Sequence, residues 1–316
     1  MPSQARRGAL HPLDVSRAFG AGWQLFRVRW RTHFGMLLGL FVPVYALNAL
    51  WLLVYGEEFE VWAAALRAAQ LGGGPFDPAD LPALPLDGLL IVVGLNLALA
   101  IVGVLGTAAV INVLGWTYGG GHVTARRALG FVARRSASLI GASLLFALAV
   151  LGILLVGFVL GAVLFAMGGP GGGVAALAGL IVIVATVAAA IFVMLRWVFT
   201  IHAIALENIG AIDALGRSWR LVSGSTWRVL GYLLLLVLLL LAAGLVVGLL
   251  QTIIFGLGVD PFTGELWPFD AGRAIGSLVL QALMSIVLTP YYLAVLTLVY
   301  YDLRWRRGEQ LQPPPG

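Results

Sequence analysis

The stretch LRWVFTIHAIALEN sets Arg196 inside an otherwise apolar run, with His202 and Glu207 further along. DALGRSWRLVSGSTWRVLG begins five residues after Asn208, carrying Asp213, Arg217, Trp219 and Arg220. A guanidinium in an apolar span is either a snorkelling anchor or a functional charge, because desolvating it is costly. Two readings of Arg196 stand side by side. It marks the true end of its span, with Trp197 at the lipid boundary; or it is buried against a carbonyl or a polar partner such as Asn96, Asn112 or Gln281. The first costs less.

Other chemistry is thin. The four histidines, His11, His33, His122 and His202, have no metal-ligand spacing, and there is no cysteine. GGPGGG lacks the Lys and Ser/Thr of a phosphate loop and reads as a tight turn between spans. The carboxylates of DPFTGELWPFD match no calcium loop and read as a solvated acidic stretch. No Asp or Glu lies deep in a span, which weakens proton- or cation-coupled transport. No nucleophile–base set is visible, so an intramembrane enzyme ranks last among the readings. The expectation is a protein without catalysis of its own, without cofactor and without nucleic acid.

The elements that must position these residues follow from composition. The 316 residues are 61% hydrophobic and 10% charged, far from the roughly one-quarter charged of soluble domains. Apolar runs predict six transmembrane helices, at about 34–55, 88–117, 137–167, 174–205, 229–256 and 273–301. The fourth would measure about 48 Å as one straight helix, against a hydrocarbon core of about 30 Å, so it should bend or leave the membrane. Pro43 and Pro290 should kink the first and last spans. GMLLG (35–39), GFVLG (157–161) and GLVVG (244–248) permit close helix approach, and the amides Asn48, Asn96, Asn112, Gln251 and Gln281 read as helix glue.

All 19 basic residues are arginine, and their placement predicts orientation. The N-terminal segment, the 118–136 and 206–228 loops and the tail hold sixteen of them, and the opposite side is acidic. Both termini should be cytoplasmic, in a multi-pass protein of the cell membrane. The expected organisation is a cytoplasmic segment over 1–33, a six-span domain over 34–305 and a disordered tail over 306–316.

An internal repeat links the charged stretches. Setting Trp23 on Trp219 aligns AFGAGWQLF with ALGRSWRLV and Gly35 with Gly231. A shorter copy starts ALG at Ala128, with Gly141 four residues, or one helical turn, too early. Each unit would be an interfacial amphipathic helix followed by a transmembrane hairpin, giving an all-α membrane protein with three such cytoplasmic helices. In the last copy Ile212, Leu215, Trp219 and Val222 share a face opposite Asp213, Arg217 and Arg220, and Asp213–Arg217 is an i,i+4 pair. In the first, Phe19, Trp23, Phe26 and Trp30 oppose Gly20, Gln24, Arg27 and Arg31, with Asp14 as cap. Such helices would lie among headgroups, with Trp at the boundary and Arg toward anionic lipid. The alternative is that they pack on the ends of the bundle.

ALENIGAIDALGRSWRLVSGSTWRVLGYLLLL, together with TPYYLAVLTLVYYDLRWRR, resembles the family named for the membrane domain of glycerophosphoryl diester phosphodiesterases. Its recurring marks fall here on Glu207, Ser218, Trp219, Arg220 and Leu221, then on Tyr300, Tyr301, Asp302, Leu303 and Arg304. The resemblance implies a six-span membrane domain. In such phosphodiesterases hydrolysis belongs to a soluble barrel with acidic metal ligands, and these 316 residues include no segment of that kind. His202 stands where that family often has Pro.

These observations point to a scaffold or lipid-interacting module of the membrane, with a small-molecule or lipid permease as the alternative. Anionic headgroups, a membrane-protein partner or a second copy are the partners expected. The candidate functional or lipid-contacting residues are Trp23, Arg196, His202, Glu207, Arg217, Trp219, Arg220, Asp302 and Arg304.

Overall fold

A computed structural model describes residues 15–71, 82–168, 173–256 and 270–309. Among them every regular element is a helix: α1 (Val15–Val28), α2 (Trp30–Leu71), α3 (Leu86–Tyr118), α4 (Ala125–Met167), α5 (Val174–Trp197), α6 (Thr200–Glu207), α7 (Ala211–Val222), α8 (Thr226–Phe255) and α9 (Ala271–Arg306). Six stretches are long and apolar enough to cross a membrane: Trp30–Leu66, Leu86–Tyr118, Ala125–Met167, Val174–Glu207, Thr226–Phe255 and Ala271–Arg306. Leu, Val and Ile side chains such as Leu151, Leu155, Leu241, Leu245 and Leu249 point outward. A protein whose solvent is hydrocarbon can leave such groups exposed and reserve its interior for small and polar ones.

The expected fourth span is interrupted. Its helix stops at Trp197 and restarts at Thr200, so α5, at 24 residues, is about 36 Å long. No Pro or Gly sits at this break. The Ser218 hydroxyl instead enters the backbone ladder, accepting from Phe199 N–H at 3.1 Å and donating to the Arg196 carbonyl at 2.8 Å. Insertion of a side chain into the ladder is a recognised cause of a helix break.

Elsewhere the helices run longer than expected. α2 carries the first span on to Leu71 as one helix, and α2 and α9 remain helical through Pro43 and Pro290. α4 fuses the middle amphipathic segment with its span, so that copy has no break at all. The missing turn explains the fusion: the other two copies spend residues on an interruption, at Arg29 and at 223–225.

By its internal contacts the chain divides into two units, Met1–Trp30 with Thr107–Leu235 and Tyr291–Gly316, and Arg31–Gly106 with Leu236–Pro290. In the first, α4 and α5 form the tightest hairpin. A Cβ on Gly157 would fall 1.9 Å from Thr186 Oγ1, and one on Gly179 would fall 2.6 Å from the Gly161 carbonyl. The pairs Gly35/Gly39 and Gly244/Gly248 have no such neighbour, so of the three small-residue motifs GFVLG alone serves close packing among the described residues. Asn112 donates to the Ala205 carbonyl at 3.1 Å and joins two helices. In the second unit Gln251 donates to Ser277 Oγ at 3.1 Å and does the same. Asn48 and Asn96 instead bond Val44 and Val92, four residues back in their own helices, so they are not glue. Asp270 begins α9 by accepting from Arg273 N–H at 2.7 Å. The Asp14 cap, most of the expected outer loops and the QLQPPPG tail lie outside the described residues.

Candidate functional site

α7 follows α6 after a left-handed turn at Asn208, φ 59°. Arg135 fastens that turn, donating to Asn208 Oδ1 at 2.5 Å and to its carbonyl at 3.0 Å. The turn returns α7 so that Arg217, ten residues after Glu207, faces it. Arg217 Nε donates to Glu207 Oε2 at 2.9 Å and Oε1 at 3.1 Å, and Nη2 donates to Oε1 at 3.0 Å. The expected Asp213–Arg217 pair does not form: Asp213 is exposed in the first turn, and Arg217 turns to the stronger, half-buried acceptors.

The end of α9 completes the cluster. The Tyr300 hydroxyl donates to Glu207 Oε1. Arg304 lies one turn on, 3.5 Å from Glu207. α9 then stops in a Schellman motif: Gly308 N–H donates to the Trp305 carbonyl at 2.9 Å and Glu309 N–H to that of Arg304 at 3.2 Å. Gly308 has φ 73°, a region costly for any residue with a Cβ. This turn swings Glu309 back, where it accepts from Arg217 Nη1 at 2.8 Å, from Arg217 Nη2 and from Arg304 Nε at 2.9 Å. Two guanidiniums and two carboxylates thus alternate around one point.

The electrostatics agree with the geometry. Hydrogen bonds donated to Glu309, and then to Glu207, hold Arg217 still more firmly protonated than usual, against the opposing effect of its burial. Hydrogen bonds from Arg217, and less so from Arg304, keep the Glu309 carboxyl below the usual carboxylate range.

A second network holds the other edge of α7. Arg307 donates to the carbonyls of Arg220, Leu221 (3.4 Å) and Ser223 (2.7 Å), satisfying the open end of the helix. Arg196 Nη1 donates to Ser223 Oγ at 2.8 Å, and its guanidinium lies 4.9 Å from the Phe192 ring and 5.3 Å from that of Trp219. Its partners are therefore Ser223 and aromatic faces, not Asn96 or Asn112, which bond elsewhere. Asp302 is buried and accepts from Arg306 at 2.8 Å, with Arg228 4.0 Å away.

His202 is buried between the rings of Phe199 and Tyr300, at centroid distances of 5.5 and 5.7 Å. It touches the cluster through Tyr300 alone. Arg220 is exposed and contributes only its carbonyl. Trp23, on α1, packs its ring 6.0 Å from that of Tyr291 and is 48% exposed, and Trp219 is 37% exposed. Of the nine candidates, Glu207, Arg217 and Arg304 meet directly; Arg196 and Trp219 form a separate pair, and Trp23 and Asp302 lie in other contacts. Residues 306–309 of the expected tail are fixed by these bonds. Glu309 escaped sequence reasoning because nothing around it is apolar or patterned; the Gly two residues past the last helical Arg was the signal that placed it. Among the described residues no three His, Asp or Glu side chains lie close enough together to hold a metal ion.

α1 and α7 bury equivalent positions. Ala18, Gly22 and Phe26 are inward on α1, and Ala214, Ser218 and Val222, each at the same repeat offset, are inward on α7. In α4 Ala128 and Val132 follow suit. Ile212 is outward, which corrects the face drawn from sequence: the inward edge runs through Ala214, Ser218, Leu221 and Val222, and Ile212 with Trp219 forms a separate apolar edge.

Fold and cluster together define a multi-pass helical protein of membrane type. A protein family described as a domain of unknown function, DUF7847, matches residues 63–303, well over half of the chain, and the chain belongs to it. No curated protein and no solved structure matches it.

Proposed function

We propose that this protein is a lipid-facing scaffold of the cell membrane with no catalysis of its own. In it α1 and α7 lie at the cytoplasmic surface and meet anionic headgroups, and both termini are cytoplasmic. The observation that carries this reading is the shared outward Trp. Each helix packs one row inward, yet leaves Trp23 or Trp219 partly exposed on a helix that also carries an exposed Arg27 or Arg220. An indole beside a guanidinium is the pairing that suits the headgroup boundary. The aromatic packing around His202 and the closed α4–α5 hairpin support a scaffold over a permease, which needs a polar path. Kinship with the membrane domain of glycerophosphoryl diester phosphodiesterases belongs to the same proposal, supported by the meeting of the Glu207 and Tyr300–Arg304 marks in one cluster.

Lipid analysis of purified protein tests it. The wild type should enrich anionic over zwitterionic lipid, and Trp23→Ala with Trp219→Ala should remove most of that enrichment. Equal recovery of both headgroups by the wild type would refute the reading.

A further inference from the structure

Glu309 differs from its three neighbours in the cluster. Glu207 closes α6 and also takes the Tyr300 hydroxyl, while Arg217 and Arg304 stand within α7 and α9. Glu309 lies beyond its helix, 25% exposed, at the end of a glycine turn, and its carboxylate is held by the two guanidiniums. Those guanidiniums, 16% and 11% exposed, offer it three N–H donors: the fork of Arg217 and the Nε of Arg304. Converging guanidiniums of this kind match the oxygens of a phosphate as well as those of a carboxylate. Without Glu309 the two cations would face Glu207 alone and carry one unbalanced positive charge. The exposed Arg220 on α7, and Arg307 just past α9, which bonds neutral carbonyls, add positive charge and favour an anion in its place.

We infer that Arg217 and Arg304 form a binding site for a phosphate group, which Glu309 fills as an internal substitute until phosphate displaces it. On displacement Glu309 swings outward about Gly308, while Glu207 and Tyr300 keep Arg217 aimed. The phosphate is that of a lipid headgroup or of a free phosphate; the headgroup source rests on the lipid-facing reading of α7.

The test uses the full chain in phosphatidylcholine nanodiscs, titrated in one arm with phosphatidic acid in the bilayer and in the other with inorganic phosphate at constant ionic strength. Glu309→Gln removes the competing charge and should tighten phosphate binding about tenfold, since the competent site is then no longer mostly occupied. Arg304→Gln added to it should cancel the gain. A gain with phosphatidic acid alone identifies the headgroup, and a gain with inorganic phosphate alone identifies the free anion. No gain in either arm overturns the site. Amide exchange over residues 306–309 of the wild type gives a readout free of substitution: it should quicken when phosphate binds, and unchanged exchange at saturating phosphate overturns the proposal. The lipid-facing reading fails separately. If the double Trp variant keeps its headgroup enrichment while Glu309→Gln still gains affinity, the site stands and the surface reading falls.

Discussion

α1 and α7 are two versions of one helix with different loads. Their inward rows, Ala18/Gly22/Phe26 and Ala214/Ser218/Val222, coincide, and so do the outward Trp23 and Trp219. Where α7 has Arg217, gripping Glu207 and Glu309, the same register in α1 holds Ala21. Where α7 has Ser218, bridging the α5–α6 break, α1 has Gly22, where a Cβ would fall 2.7 Å from Val295 Cγ2. The lesson is that this inward row is the shared docking device, and the ionic cluster is an addition made on one of the two copies.

The comparison can be broken most forcefully at its point of greatest divergence. Arg217→Leu leaves two half-buried carboxylates to share the Arg304 guanidinium alone and should cost about 2–3 kcal/mol, somewhat below the loss for a fully buried pair. Ala21→Leu at the matching position should stay within about 1 kcal/mol. Thermal unfolding in detergent checks both, and equal losses would erase the distinction. Next in size, Ser218→Ala leaves Phe199 N–H without its acceptor at the break and should cost about 1–3 kcal/mol. Melting of the variant measures this, and an unchanged transition would mean that the break does not depend on Ser218.

The smallest effect is one of pH. The folded state holds the Glu309 carboxyl below its unfolded value, so the stabilisation it gives is complete above the unfolded carboxyl range, near pH 4.3, and fades as pH falls through the lower folded value. Wild-type melting temperature should therefore drop on acidification below about pH 5 more steeply than that of Glu309→Gln. Parallel curves would remove Glu309 from the account.

Much of the fold was legible because lipid imposes simple rules. Length and hydropathy located all six spans, and the excess length of the fourth pointed to an irregularity, which is the break after Trp197. The cause of the break was not legible, since it lies in a hydroxyl twenty residues along the chain, and no local breaker marks it. Continuity of α4 was implicit in the turn missing between Ala128 and Gly141. The face of α7 was half right: Val222 is inward as expected, but Ile212 is outward, and Ala214, Ser218 and Leu221 complete the packed side. The cluster was visible only as two separate stretches about ninety residues apart, and Asp213 drew attention as the partner of Arg217 because neighbours on one helix are all that spacing can reveal.

The α4–α5 hairpin carries a consequence for biogenesis. Its interlocking glycines join helices that are consecutive in the chain and separated by a few residues, so the pairing closes with little loop entropy. These two spans can therefore couple as soon as the second leaves the insertion machinery, giving later segments a finished partner against which to settle.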